Sequence, residues 1–303
     1  MAFVLTSYSG QNCGNRRSHS YTGAPFFSAH AAALLGVDLT HVICEESAAP
    51  IIKSYSPDLM VHPYLKDSSK LPEGAERAKF IDIHVLPKVR ALLQRIHVVV
   101  VGPGLGRDPA MLETLRLIVR ELREREIPVI MDADSLFLLS EDPDILKGYG
   151  RAIITPNVVE FARICKALEI DPEDPKAAIK VSKSLGDVVV FQKGAIDKIV
   201  SGDLSISVDE EGSNKRVGGQ GDSLTGLISG FVAWGFGAYK NRLYPESKNE
   251  PFLTEQDILM TACFGGSITN RRSANLAFKE HGRALQTSDI HKFIPSAYRE
   301  LFE

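Results

Sequence analysis

The chain has 303 residues, enough for one large α/β domain or two ordinary ones, and its 44% hydrophobic content supports a sizeable core. A net charge of −3 gives no electrostatic case for nucleic acid or an anionic membrane, and no segment supplies the roughly 18 apolar residues of a membrane span without glycine interruption. Cys13, Cys44, Cys165 and Cys263 lie far apart with no Cys-x-x-Cys pair, which argues against a zinc site or a disulfide framework and fits a reducing compartment.

From the N-terminus, residues 1–37 carry no acid but do carry Arg16, Arg17 and several serines, a weak transit-peptide pattern. A cytoplasmic protein is expected, with mitochondria as the alternative. Only "AFVL" (2–5) could supply a strand before "SGQNCGNRRSHSYTGAP", a run of turn residues. "AHAAALLG" (29–36) predicts a helix ending at Gly36, and "THVIC" (40–44) a strand. Residues 63–78 are polar and read as a surface loop leading into a helix. "HVVVV" (97–101), "PVIMD" (128–132), "RAIIT" (151–155) and "DVVVF" (187–191) are continuous apolar runs of strand length, as in parallel strands buried on both faces. Between the first two, residues 108–126 set Leu112, Leu115, Ile118, Val119 and Leu122 at three- and four-residue steps, an amphipathic helix. Residues 197–209 hold two alternating runs around Ser-Gly-Asp and predict a β-hairpin. The alternation predicts an α/β fold, a doubly wound, mostly parallel sheet with helices on both faces. No linker and no internal repeat divides it, so one domain over 1–303 is expected.

In open parallel sheets ligands bind outside the carboxyl ends of the strands, and four clusters fall there. "VGPGLGRDP" (101–109) offers glycines that let backbone N–H groups approach a phosphate, or it is a plain glycine turn. Its spacing is not the Rossmann fingerprint, which weakens an oxidoreductase reading, and no P-loop sequence occurs anywhere. "MDADSLFLL" (131–139) places Asp132 and Asp134 at a strand end, where they could hold water, magnesium or sugar hydroxyls. Taken alone, Asp134 is favoured as a helix N-cap. In "ITPNVVEFARI" (154–164), Asn157 can cap a helix and Glu160 with Arg163 reads as a surface pair. The functional alternative is that Asn157 and Glu160 contact a polar ligand or its magnesium. "QKGAIDKIVSG" (192–202) could form a flap beside a nucleotide or a solvated turn.

The strongest signal is "GGQGDSLTG" (218–226), where small residues lead a loop into a helix striped by Leu224, Leu227, Ile228 and Phe231. No charge follows Asp222 until Lys240, so that helix is expected to be buried. A buried helix aiming its N-terminus at a cleft presents unpaired N–H groups and partial positive charge, a receptor for a phosphoryl group. Asp222 then stands where a carboxylate can take a proton from an attacking hydroxyl, although an N-cap would sit there too.

These residues resemble the ribokinase-like superfamily, whose Gly-x-Gly-Asp motif is an anion hole followed by a catalytic base. "YTGAPFFSAHAAALLGVDLTHV", "SYSPDLMVHPYL", "VVVGPGLGRDP", "DADSLFLL", "ITPNVVEFAR", "QKG" and "EGSNKRVGGQGD" occur in the order of eukaryotic, above all fungal, ATP-dependent NAD(P)H-hydrate dehydratases. The resemblance runs from about Tyr21 to the C-terminus. It implies a ribokinase-like sheet with a small hairpin near the nucleotide site, and repair of hydrated NADH or NADPH by ATP-dependent removal of water. In that scheme Asp222 deprotonates the ring hydroxyl, which takes the γ-phosphoryl group and leaves as phosphate. Gly219, Gln220 and Gly221 form the implied anion hole. ATP would meet Lys193, Gly194, Ala195, Ile196 and Asp197, then Gly218 through Asp222 and on to Ser223, Leu224, Thr225 and Gly226. The hydrated coenzyme would meet Gly104, Gly106, Asn157, Val158, Val159, Glu160, Phe161, Ala162, Arg163 and Asp222. Magnesium is implied with the nucleotide, with Asn157 and Glu160 as its candidate ligands. The partner is a small molecule, not nucleic acid or membrane, and a homo-oligomer is compatible with the sequence.

Two departures stand out. Family members carry a strand shortly before Tyr-Thr-Gly-Ala-Pro, whereas this chain reads "SGQNCGNRRSHS" there, so residues 1–20 are expected to be an irregular, truncated segment. Ser135 replaces a glycine after Asp-Ala-Asp and is tolerable unless that position needs positive φ. The rival readings are a vitamin-precursor kinase of the same superfamily and a non-catalytic nucleotide sensor. "GPGLG" with "NVVEFAR" favours the dehydratase over the kinase, and the intact Asp222 disfavours the sensor.

Overall fold

A computed structural model describes residues 2–5, 22–241 and 253–303. The stretch 6–21, with Cys13, Arg16 and Arg17, lies outside the described residues, as does 242–252. One nine-stranded sheet organises the chain: β1 Ala2–Leu5, β2 Thr40–Glu45, β3 Met60–Leu65, β4 Val98–Val101, β5 Val129–Met131, β6 Ala152–Ile154, β7 Val189–Gln192, β8 Asp197–Ser201 and β9 Leu204–Val208. Its order is β3-β2-β1-β4-β5-β6-β7-β8-β9. Every pairing from β3 to β7 is parallel; the β8–β9 hairpin extends the sheet antiparallel to β7.

Period two explains the layering, since successive side chains point to opposite faces. Val99 and Val101 of β4 join one core while Val98 and Val100 join the other. The first face is covered by α3 Arg77–His84, α4 Leu86–Leu93, α5 Pro109–Glu124, α6 Asp134–Glu141, α7 Val158–Ala167 and α8 Ala177–Ser184. The second carries α1 Gly23–Leu35, α2 Ala49–Tyr55, α9 Gln220–Ala233 and α10 Glu255–His281. A last helix, α11 Thr287–Phe302, packs outside these, with Ile294 against Ala31, Leu35 and Leu227.

The helix expected over 108–126 forms as α5, with the Asp108 carboxylate capping the N–H groups of Ala110 and Met111. Helix α9 is buried as its lack of charge predicts. It crosses α1 at backbone range, because a Cβ on Gly226 would stand 2.0 Å from the Ser28 carbonyl oxygen. The α1 helix begins at Gly23, upstream of the expected Ala29, and ends at Gly36 as expected.

Two expectations are corrected, and one element is new. Residues 2–5 do not belong to an irregular segment: they form β1 inside the sheet, between β2 and β4, with Ala2 facing Thr40 on one side and Val98 on the other. Without β1, the facing edges of β2 and β4 would be left unpaired. Residues 63–65, read as the start of a loop, close β3. Pro63 is tolerated there because β3 is an edge strand, where a missing N–H breaks no ladder. Helix α2, between β2 and β3, went unread.

Candidate active site

The carboxyl ends of β4, β5, β6 and β7 and the N-terminus of α9 converge on one rim. At the end of β4, Gly102 has φ +114, and a Cβ there would stand 1.7 Å from the Asp132 carbonyl oxygen. Only glycine fits so close to the next loop. That loop turns through Ala133 at φ 51, ψ −117, a strained conformation for a residue with a side chain. The turn sends two neighbouring carboxylates different ways. Asp134 is not the helix cap that was favoured. Its carboxylate accepts the Gly106 N–H at 2.9 Å and the Arg107 Nε–H at 3.3 Å, pinning the glycine loop. Ser135 has no positive φ, and its hydroxyl lies 2.8 Å from the Asp132 carbonyl, so serine is accommodated.

Asp132 points to the end of β7, where its carboxylate accepts from Lys193 Nζ at 2.7 Å. Burial alone would pull the Lys193 pKa down. The bonded Asp132 carboxylate, with Glu160 and Asp222 nearby, outweighs it and holds the lysine above its usual value. The same ammonium lies at the mouth of α9, since a Cβ on Gly221 would be 3.6 Å from Lys193 Nζ. Asp222, in the first turn of α9, is pushed up to about 7 by desolvation and by the Asp132 charge, with Lys193 acting the other way. It stays partly exposed, as a base must.

The α9 N-terminus is shaped by Gly219 at φ +97. A Cβ there would meet the Phe27 ring at 2.6 Å and the Thr287 methyl at 3.2 Å. Of the nucleotide residues expected here, Gly218 to Asp222 line the open end. Ser223, Leu224, Thr225 and Gly226 are buried further along the helix. Beside Gly218 opens a cavity of about 410 Å³ bordered by Phe27, Lys215, Arg216, Gln286 and Thr287.

After β6, Asn157 and Glu160 form a reciprocal cap. The Asn157 side-chain oxygen accepts from the N–H groups of Val159 and Glu160, and Glu160 accepts from the Asn157 N–H. This cap replaces the expected Glu160–Arg163 surface pair. Desolvation raises the Glu160 pKa despite its bond to the Asn157 N–H and the nearby Lys193. Val158 is 77% exposed and Val159 68%, an apolar ledge at the rim. Phe161 is buried in the core instead, so it packs the fold rather than facing a ligand. Ala162 and Arg163 are partly exposed on the same helix.

The turn from Lys193 to Asp197 is held at its far end. Asp197 accepts from the Gly194 N–H at 2.9 Å, from Ser267 at 2.7 Å and from Arg271 Nε at 2.8 Å. Arg271 also donates to the carbonyls of Gly194 and Ala195. The Asp197 carboxylate is therefore saturated by protein donors, and what this turn offers a nucleotide comes from Lys193 to Ile196. Arg271 was not foreseen; the only trace is an arginine pair inside the long apolar-striped α10. Among the described residues, no group of three or more His, Cys, Asp or Glu could hold a metal.

The family described as NAD(P)H-hydrate dehydratase matches residues 17–296. The ATP-dependent (S)-NAD(P)H-hydrate dehydratase of Candida albicans is 44% identical, over 94% of this chain and 87% of that one. The Saccharomyces cerevisiae enzyme of the same name is 43% identical, over 97% and 90%. Among solved structures, a hypothetical protein from Streptococcus mutans superposes with a TM-score of 0.70 at 19% identity, covering 100% and 91%. An ADP/ATP-dependent NAD(P)H-hydrate dehydratase from Bacillus subtilis, co-crystallised with ATP and magnesium, gives 0.64 at 16%, covering 99% and 91%. At these identities the two structures speak for the ribokinase-like fold alone.

Proposed function

The chain belongs to the NAD(P)H-hydrate dehydratase family and is an ATP-dependent enzyme of that kind, and we propose that Asp222 is the base that starts its reaction. The observation that carries this reading is the meeting of three features at one helix end. Asp222, the N–H groups of Gly219 to Gly221 and the Lys193 ammonium all lie at the mouth of α9. The N–H groups and the lysine receive the γ-phosphoryl group of ATP, where negative charge builds up. Asp222 takes the proton of the ring hydroxyl of hydrated NADH or NADPH. The oxygen bonds to phosphorus as ADP leaves; the carbon–oxygen bond then breaks with phosphate departing in place of hydroxide, and the neighbouring ring carbon gives up a proton to solvent so that the double bond re-forms. The products are NADH or NADPH, ADP and phosphate. The glycine loop at 102–106 and the Val158–Val159 ledge flank the place where the coenzyme lies.

Magnesium would arrive on the nucleotide phosphates, as it does where one or two carboxylates suffice. The donor set fits that role in part. The Asn157 side-chain oxygen already accepts two backbone N–H bonds and is not a ligand, whereas Glu160 and Asp132 keep carboxylate oxygens on this rim. When bound, the ion offsets phosphate charge.

The test mixes purified protein with hydrated NADH, ATP and magnesium and follows reduced-nicotinamide absorbance. Asp222→Asn is expected to lower kcat by about 10²- to 10⁴-fold while ATP still binds. Turnover by that variant at the wild-type rate would remove Asp222 from the role of base.

A further inference from the structure

The anion-receiving end of α9 is braced from behind by helices that carry no motif. Thr287, at the start of α11, donates its hydroxyl proton to the Gly218 carbonyl. Ser223 Oγ lies 2.9 Å from the Gly219 carbonyl, and His291 of α11 places Nε2 2.7 Å from that same Oγ. Asn270 of α10 donates to the Gln220 carbonyl at 3.3 Å. In a trans peptide a carbonyl and the next N–H point in opposite directions. Pinning the carbonyls of Gly218, Gly219 and Gln220 inward therefore turns the N–H groups of Gly219, Gln220 and Gly221 outward, toward the open end.

The histidine chemistry fixes the direction of this bracing. Gly219 O can only accept, so the single Ser223 hydroxyl proton goes to it, and His291 Nε2 must carry the proton it gives to Ser223. Neutral His291 then has a bare Nδ1, which lies 2.9 Å from His30 Nδ1 on α1. His30 is the donor there, completing one ordered run from His30 through His291 and Ser223 to Gly219. His291 is 2% exposed, with the Phe27 ring edge-on to it, so water does not compete for these bonds.

We propose that α11 positions the anion hole, His291 acting through Ser223 and Thr287 acting directly, by orienting the peptide groups whose N–H bonds receive the γ-phosphate. The proposal rests on the reading that this helix end binds the ATP phosphates. Each acts on the reaction through the peptide groups of the loop, so both are positioning residues.

The test reads phosphate recognition apart from turnover, by calorimetric titration of ATP and of AMP into wild type, His291→Phe, His291→Gln and Thr287→Val. His291→Phe fills the space but gives Ser223 no proton, and Thr287→Val keeps the shape but loses the hydroxyl. Each is expected to weaken ATP binding about tenfold or more while AMP binding stays, because only the longer nucleotide reaches the misaligned N–H groups. His291→Gln, whose amide can donate to Ser223, is expected to recover most of the ATP preference. A ratio of ATP to AMP affinity unchanged in both His291→Phe and Thr287→Val would overturn the proposal. So would a glutamine variant as impaired as the phenylalanine one. Thr287→Val decides the matter if His291→Phe does not fold. Loss of turnover in wild type would count against the dehydratase reading and leave these affinity ratios to decide on α11.

Discussion

Lys193 and Asp197 stand at the two ends of one tight turn, and each belongs to an ion pair, yet the pairs do opposite work. Asp197 and Arg271 are mutually enclosed: Asp197 accepts from the Gly194 N–H, Ser267 and Arg271, and Arg271 donates onward to the carbonyls of Gly194, Ala195 and Glu210. Lys193 pairs with Asp132 from one side only and keeps 22% of its side chain exposed at the α9 mouth. A charge saturated by its neighbours holds a loop in place. A charge left with an open side can meet a phosphate and tune a base. The turn thus has one end fixed to α10 and one end free to act, and Ile196, next to the fixed end, is 52% exposed.

Breaking the closed end should have the largest effect. Arg271→Met leaves Asp197 buried with its main partner gone and is expected to cost about 3–5 kcal/mol of stability by urea unfolding. A loss under about 1 kcal/mol would mean that the pair is solvated and the contrast false. The open end should instead move chemistry with pH. Lys193 lowers the Asp222 pKa and Asp132 raises it, so removing each charge has a predictable sign. Lys193→Met moves the acid limb of kcat/KM above about pH 7, and Asp132→Asn moves it below, each unit being tenfold in rate on the acid side. Limbs that shift together, or not at all, would break the link between these charges and the base. The smallest effect belongs to the exposed stretch between the two ends. Ile196→Ser should leave stability within about 0.5 kcal/mol and raise the KM for ATP a few-fold. A large stability loss there would show that the whole turn is structural.

How far the site was legible depended on how local its physics is. Asp222, the small residues before it and the uncharged helix after it declare a buried helix end, because those preferences act within a few residues of chain. The Asn157 cap was readable for the same reason, although Glu160's half of it was read as a pair with Arg163 and both residues also looked like ligands. Arg271, Thr287 and His291 were not readable. They act on carbonyls far away in sequence, and beyond the arginine pair in α10 nothing beside them hints at that. Asp134 misled because a carboxylate at a helix start normally caps it, whereas the strained turn at Ala133 aims it at Gly106.

The sequence by itself determined the sheet-and-helix alternation, the layering of apolar runs on both faces, and the glycine-rich helix start with its single carboxylate, since periodicity and backbone permissiveness are properties of short segments. Tertiary structure decided that residues 2–5 take an interior place in the sheet, between β2 and β4. It also decided which of two carboxylates meets Lys193 and which helices brace the anion hole. Those choices depend on which distant groups burial leaves in need of a partner, and only the closed fold sets that.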